Sequence, residues 1–282
     1  LNLKERLQTH LQAIARERDP YMATAGHFFV QEYIRQEFSQ WGSVEIHTFS
    51  VGGKVCQNLI LNLPAQAKRQ KKDLPLVLIA AHYDAVPGTL GADDNATGVA
   101  VLLELARKFA AQPPRYPLRL IAFDMEEYGL LGSAEYVSLL RQQQQPLRLM
   151  LSLEMLGYCN SLPGSQVYPP PLERFYPNCG DFIALIGNLR TIWDLINMSR
   201  SIRKVGVSSQ WLPVPNRGLM IRQTRQSDHA PFWDAGYPAI MVTDTAFLRN
   251  PNYHKPSDTI ATLDLDFLTG VCEGLELGIR GL

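Results

Sequence analysis

The chain lacks cysteine pairs at zinc-thiolate spacing, long apolar runs and net charge. Its four cysteines, Cys56, Cys159, Cys179 and Cys272, are scattered through 282 residues with no Cys-x-x-Cys, which argues against a thiolate metal site. Cys159 and Cys179 bracket one proline-rich loop and are candidates for a disulfide. No apolar stretch approaches the ~20 residues that span a bilayer. Lys+Arg and Asp+Glu are both 27, so nothing draws the chain to a polyanion. The one basic run, Lys68 to Lys72, reads as a solvated hairpin or loop tip and not as a nucleic-acid contact. The chain begins at Leu1, as expected of a processed or trimmed product, and a secreted or periplasmic location is expected over a cytoplasmic one.

Hydrophobic residues make up 46% and charged residues 19%, a balance that supports a substantial core. Leu3, Leu7, Leu11 and Ile14 recur at helical spacing and predict a helix over 2–18, stopped before Asp19-Pro20. A second helix is predicted over 22–40. Strands are expected at 44–51, 58–63, 75–82, 118–123, 147–153, 182–186 and 238–242, and further helices at 95–111, 190–204 and 265–279. Residues 156–181, with Pro163, Pro169, Pro170, Pro171 and Pro177, read as loop, and 205–224 as irregular. Strands alternate with helices without a linker. The expected fold is therefore α/β, one domain over 1–282 with a mixed, mostly parallel central sheet flanked by helices on both faces.

Each buried strand runs into acids or histidine. Strand 75–82 ends in His82, with Asp84 beyond; strand 118–123 meets Asp124-Met125-Glu126-Glu127; strand 147–153 ends in Glu154; and a late loop carries Tyr253-His254. Open α/β sheets place their sites at these carboxyl ends. Two histidines and several carboxylates converging there form the mixed nitrogen and oxygen set that suits zinc. Taken singly, each segment has an ordinary explanation. His82-Tyr83-Asp84 alone would be a capped histidine, Asp93-Asp94-Asn95 first-turn helix chemistry, and Glu126-Glu127 a solvated pair. Jointly these explanations would bury carboxylates at strand ends without partners, at several kcal/mol each.

The order His82-Tyr83-Asp84, Gly91 to Gly98, Glu126 to Ser133, Glu154 to Tyr158, Ser227-Asp228-His229 and Tyr253 to Thr259 resembles the di-zinc aminopeptidases of peptidase family M28. The resemblance runs from about residue 25 to the C-terminus and implies a zinc-peptidase (phosphorylase/hydrolase-like) fold. It implies two Zn2+ ions bridged by Asp94, one completed by His82 and Glu154, the other by Glu127 and His254. Many family members have Asp where this chain has Glu154. Asp84 would hold the His82 ring, and Asp258 could serve His254 in the same way. Glu126 resembles the general base acting on a water shared by the metals, and Tyr253 a donor to the tetrahedral oxyanion. Asp93 is not counted as a ligand. Asp124 is expected to point into the sheet or to a helix terminus, and His229 to support the core. His10, His27 and His47 lie outside every motif.

The implied function is removal of N-terminal residues, preferably hydrophobic ones, from peptides with a free N-terminus. The segments 156–181 and 205–225 are free to wall the site, and Tyr158, Tyr168, Phe175, Tyr176, Trp211 and Leu212 could line an apolar pocket or simply pack those loops. The nearest rival is a glutaminyl-peptide cyclotransferase with one zinc. A di-zinc carboxypeptidase is another, with Arg217, Arg222 or Arg225 receiving the substrate carboxylate. A non-catalytic, receptor-like member would be expected to have lost the base or several ligands, and none is lost here.

Overall fold

The structure is a computed structural model and describes residues 1–66, 74–170 and 172–282; the basic run Lys68 to Lys72 and Pro171 lie outside the described residues. Its eight-stranded sheet has the order β1-β2-β4-β3-β5-β8-β6-β7. The strands are β1 (Val44–Val51), β2 (Lys54–Leu63), β3 (Leu76–His82), β4 (Leu118–Phe123), β5 (Leu147–Glu154), β6 (Phe182–Asn188), β7 (Ser208–Val214) and β8 (Ala239–Thr243). Strands β4, β3, β5 and β8 run parallel in the centre. The β1-β2 hairpin joins β4 antiparallel, and β6 joins β8 antiparallel. Every residue of β3 is buried, as its unbroken Leu-Val-Leu-Ile-Ala-Ala run requires of a central parallel strand covered on both faces.

Helices cover both faces. On one side lie α1 (Leu3–Ile14), α2 (Thr24–Ser39), α3 (Gly98–Ala111), α5 (Ile192–Lys204) and α7 (Leu265–Arg280), with Leu11, Ile34, Val101, Met198 and Val271 in a single large core. On the other lie α4 (Leu131–Gln142) and α6 (His229–Asp234), packed through Tyr136, Leu140, Phe232 and Trp233 onto Ile60, Leu78 and Ile121. A mixed sheet, parallel at its centre and covered by helices on both faces, is the architecture expected from the alternating pattern.

Three local expectations need correction. The first helix ends at Ile14 rather than 18: Arg18 turns inward, and its guanidinium donates to the carbonyls of Ile14 and Arg16, at and just past the helix end, adding to the capping there. Residues 208–214, expected to be irregular, form the edge strand β7, parallel to β6. Its polar start and Pro213 hid it, yet proline is tolerated on an edge where no ladder partner needs the missing N–H. Cys159 and Cys179 are both free thiols.

The N-terminal helix is tied down electrostatically as well as by packing. Asn2 and Glu5 form a reciprocal capping box. Arg6 Nε bonds both carboxylate oxygens of Glu104 on α3 (3.0 and 2.9 Å), Arg107 Nε adds a third contact at 3.1 Å, and His10 stands 3.5 Å away. Burial alone would raise the Glu104 pKa, but the bonds from His10 and Arg6 and the charge of Arg107 bring it down to about 2. A carboxylate with a lowered folded-state pKa stabilises fully above its unfolded value and loses that contribution as pH falls toward the folded one. Glu104→Gln should therefore cost about 1.5–3 kcal/mol at pH 7, the scale of a buried charged hydrogen bond. In urea denaturation at a series of pH values, the gap from wild type should narrow between pH ~5 and ~2.

Candidate metal centre

The carboxyl ends of β3, β4 and β5 deliver His82, the Asp124–Glu127 turn and Glu154 to one rim of the sheet. Asp94 arrives from the loop between β3 and α3, and His254 from the loop after β8. His82 is 1% exposed. Its Nε2 lies 3.3 Å from Asp94 Oδ1, 3.6 Å from Glu154 Oε1 and 3.9 Å from Glu126 Oε2. On the other side, His254 Nε2 lies 3.1 Å from Asp94 Oδ2 and 3.3 Å from Glu127 Oε2. Asp94 thus turns one oxygen to each imidazole.

Among the described residues, three sets of side chains are close enough to share a cation: His82 with Asp94 and Glu154, Asp94 with Glu127 and His254, and His82 with Glu126 and Glu127. The first two coincide with the two ligand sets implied by the resemblance. Two donors each about 2.1 Å from a tetrahedral zinc stand roughly 3.4 Å apart, which is the spacing seen here. His82 Nε2 and one oxygen of Glu127 are buried without a hydrogen-bond partner, a condition costly in a protein interior unless an ion completes it. The residues fit a metal.

The electrostatics agree. Burial, with the Asp94 charge, pushes the Glu127 carboxyl up to about 7. Burial, reinforced by Glu154 and Glu127 and only partly opposed by His82, holds Glu126 well above the carboxylate range. The bonds to Asp94 and Glu127 overcome burial and raise His254 to about 10. Four carboxylates and two imidazoles in one enclosed space hold more negative charge than they can neutralise among themselves.

The surroundings fix backbone more than rings. Asp84 lies with Oδ1 3.4 Å from His82 Nδ1, and its two oxygens accept the N–H groups of Glu126 and Glu127, each at 3.1 Å. Asp258, expected to steady the His254 ring, instead accepts the N–H groups of Asp93 and Asp94 at 2.9 and 3.1 Å. The chain just beyond Glu154 is held likewise: Asn95 Oδ1 accepts Met155 N–H, Thr97 Oγ1 accepts Leu156 N–H, Asp93 Oδ1 accepts Gly157 N–H and Asp244 Oδ2 accepts Tyr158 N–H. Met125 and Met155 take left-handed φ values of 61° and 51°, and His254 one of 55°. Each costs on the order of 1 kcal/mol, so the sharp exits from β4 and β5 need these side-chain acceptors.

Several residues were missed or undervalued by sequence reasoning. Arg18, fully buried, donates to the carbonyls of Tyr83, Leu90, Gly91 and Asp94. His27, outside every motif, bonds Asp124 Oδ1 at 2.8 Å, and that carboxylate also caps Met125 N–H. His47 meets Asn58, whose side chain bonds the Gly132 carbonyl. His229 bonds the Thr224 carbonyl and stacks edge-on against Trp233, its pKa lowered to about 4 by burial, so it supports the core as expected. A histidine or arginine whose partner is distant in the chain, as for Arg18 and His27, leaves no spacing signal.

Tyr253 stacks on His254 at 3.7 Å between ring centroids. With Glu154 it lines an open cavity whose other walls include Tyr176, Trp211, Leu212, Ile221 and Met241. The segments 156–181 and 205–225 both contribute to it. Phe175 points outward and is exposed.

Residues 58–275 match the family model described as peptidase family M28. The chain is 39% identical over 259 residues to the uncharacterized protein YfbL of Escherichia coli K12, covering 86% of this chain and 77% of that one. It is 31% identical over 189 residues to the aminopeptidase YwaD of Bacillus subtilis, covering 66% of this chain but only 36% of that protein. In structure it superposes on the LapA aminopeptidase of Legionella pneumophila with a TM-score of 0.72 at 18% identity, over 98% of this chain and 71% of that one.

Asp258→Ala should orphan two buried N–H groups beside the site. We expect a loss of about 2–4 kcal/mol in chelator-treated protein, measured by urea denaturation, with no ion needed to see it. On the strength of the family match and its relative in Escherichia coli, the chain belongs to peptidase family M28.

Proposed function

We propose that the protein is a zinc-dependent aminopeptidase that binds two ions, one at His82, Asp94 and Glu154, the other at Asp94, Glu127 and His254. The observation that carries this reading is Asp94, whose two oxygens face the two imidazoles at 3.3 and 3.1 Å. The second set, complete with Glu127 and His254, favours two ions over the single zinc of a cyclotransferase. None of Arg217, Arg222 and Arg225 appears among the residues lining the cavity, while its walls are mainly apolar and aromatic; this favours an N-terminal side chain over a C-terminal carboxylate as the occupant.

When bound, zinc supplies Lewis acidity, making water a stronger nucleophile near neutral pH and taking up charge from the attacked carbonyl. Glu126 stands beside both ligand sets without being needed by either. Its carboxylate accepts the proton of the attacking water and delivers it to the leaving amine. Asp84 keeps Glu126 aimed through its main-chain N–H. Tyr253 is held protonated, since burial and the neighbouring carboxylates raise its pKa, and its phenol donates toward the carbonyl oxygen as charge develops.

Glu126→Gln should fold, retain about two equivalents of zinc by elemental analysis, and lose turnover on leucine p-nitroanilide by ~10²–10⁴-fold. Unchanged turnover would remove Glu126 from the mechanism, and one equivalent of zinc with cyclisation of N-terminal glutamine would replace the whole reading. The cavity gives a second expectation. Leucyl and phenylalanyl substrates should exceed glycyl and aspartyl ones in kcat/KM by roughly 10–200-fold, the range a hydrophobic pocket can supply. A flat profile across these four substrates would separate the cavity from specificity.

A further inference from the structure

Arg18 and Asp19 sit in the connector between α1 and α2, ahead of the residues 58–275 that match the family model. The connector reaches the loop that carries Asp94 and the turn that carries Glu127. Arg18 is 0% exposed, and among the described residues no carboxylate oxygen accepts from its guanidinium. Nε donates to the Tyr83 carbonyl at 2.8 Å, Nη1 to Leu90 at 2.6 Å, and Nη2 to Gly91 and Asp94 at 2.8 and 3.2 Å. These acceptors span the loop from the residue after His82 to Asp94 itself. Gly91 makes room for the contact: at φ 51°, a Cβ there would come within 2.8 Å of Nη2 and 2.2 Å of the Asp94 carbonyl oxygen. Asp19, also buried, accepts the phenol of Tyr128 at 2.6 Å, and Tyr128 directly follows Glu127.

We propose that this connector is a clamp that positions the proposed metal ligands, with Arg18 fixing the main chain of Asp94 and Asp19 holding the Glu126–Tyr128 turn through Tyr128. The inference rests on the two-metal reading above. Arg18 and Asp19 are positioning residues: they touch backbone and a phenol, not substrate. The Arg18 guanidinium is suited to the task because its planar fork addresses several carbonyls at once, which a lysine ammonium on a flexible stem cannot do. Its charge also remains in a carboxylate-rich surrounding without occupying any carboxylate oxygen that a metal would need.

The test compares wild type, Arg18→Lys and Tyr128→Phe, each stripped of metal and titrated with Zn2+ against a chromophoric chelator, and with Co2+ read by its visible absorption. Arg18→Lys keeps the charge but loses most of the bonds. It should bind the ions at least ~10-fold more weakly, the scale of losing a group that orients a ligand, with an altered cobalt spectrum and a lower kcat at little-changed KM. Tyr128 is 38% exposed, so its variant should fold; it leaves one oxygen of the buried Asp19 unpaired, which lowers thermal stability modestly, and it should weaken binding a few-fold. A purely structural role would lower the melting temperature and leave cobalt spectrum and affinity alone. Variants that match wild type in both, or Tyr128→Phe alone doing so should Arg18→Lys not fold, overturn the clamp. The two-metal reading fails separately, if wild type itself takes up fewer than two ions; the clamp is then still read from the ratio of variant to wild-type affinity for whatever binds.

Discussion

The placement of one carboxylate, that of Asp94, between two imidazoles is the constraint on which the rest of the structure depends. Its side chain is buried and turned to His82 on one side and His254 on the other, so its main chain must be held to within a fraction of an ångström. No regular element does this. Asp94 lies in an irregular turn, with a cis bond to Asn95, between the end of β3 and the start of α3. The holding is done by hydrogen bonds to its backbone: the Asp258 carboxylate on its N–H and the Arg18 guanidinium on its C=O. Opposite charges grip the two ends of one residue, and neither grip uses the side-chain oxygens.

The same device recurs around the site. Asp84 receives the N–H groups of Glu126 and Glu127, Asp124 that of Met125, and Asp93 that of Gly157. Backbone donors at the end of a parallel strand have no ladder partner, and burying them unpaired would cost about 1–3 kcal/mol each. Carboxylates meet this need with charge-assisted bonds. Their concentration also makes the site strongly negative, which favours a divalent cation there. The buried acids thus serve structure and electrostatics together, which is why the acidic residues near this rim outnumber the ligands it could use.

The fold was largely legible because its signals are local. The six-residue apolar run Leu76 to Ala81, too short for a helix and rich in branched residues, reads as a buried strand, and His82 and Asp84 at its end mark the rim. What stayed hidden was whatever depends on distant partners. Asp258 was expected to serve the neighbouring His254; it reaches instead across 164 positions to Asp94 N–H, and no spacing rule anticipates that. Arg18 looked like the polar end of a helix until its guanidinium met six carbonyls, four of them 65 or more positions away. His27 looked bland because Asp124 is 97 residues away. The edge strand β7 escaped because Ser208-Ser209-Gln210 and Pro213 weaken the alternation that identifies strands. Ligand candidates could be named from sequence because metal chemistry restricts their type, whereas backbone acceptors can be any polar residue that arrives.

The apolar cavity and the proposed metal centre share two residues, and this has a consequence for how a substrate would be used. Glu154 faces His82 at one oxygen and accepts the Ser227 hydroxyl at the other, 2.7 Å away, while Ser227 in turn meets Ser152 inside the sheet. Tyr253 borders the same cavity and stacks on His254. An apolar side chain entering between Trp211, Met241 and Tyr253 would therefore meet Glu154, which faces His82, and Tyr253, which stacks on His254. Binding energy gained far from the scissile bond can then be expressed as alignment at the reacting carbon, the form in which it raises kcat and not merely affinity. On this geometry a truncated substrate would lose more than contact area, because the wall it leaves unfilled includes the proposed ligand Glu154 and the proposed oxyanion donor Tyr253.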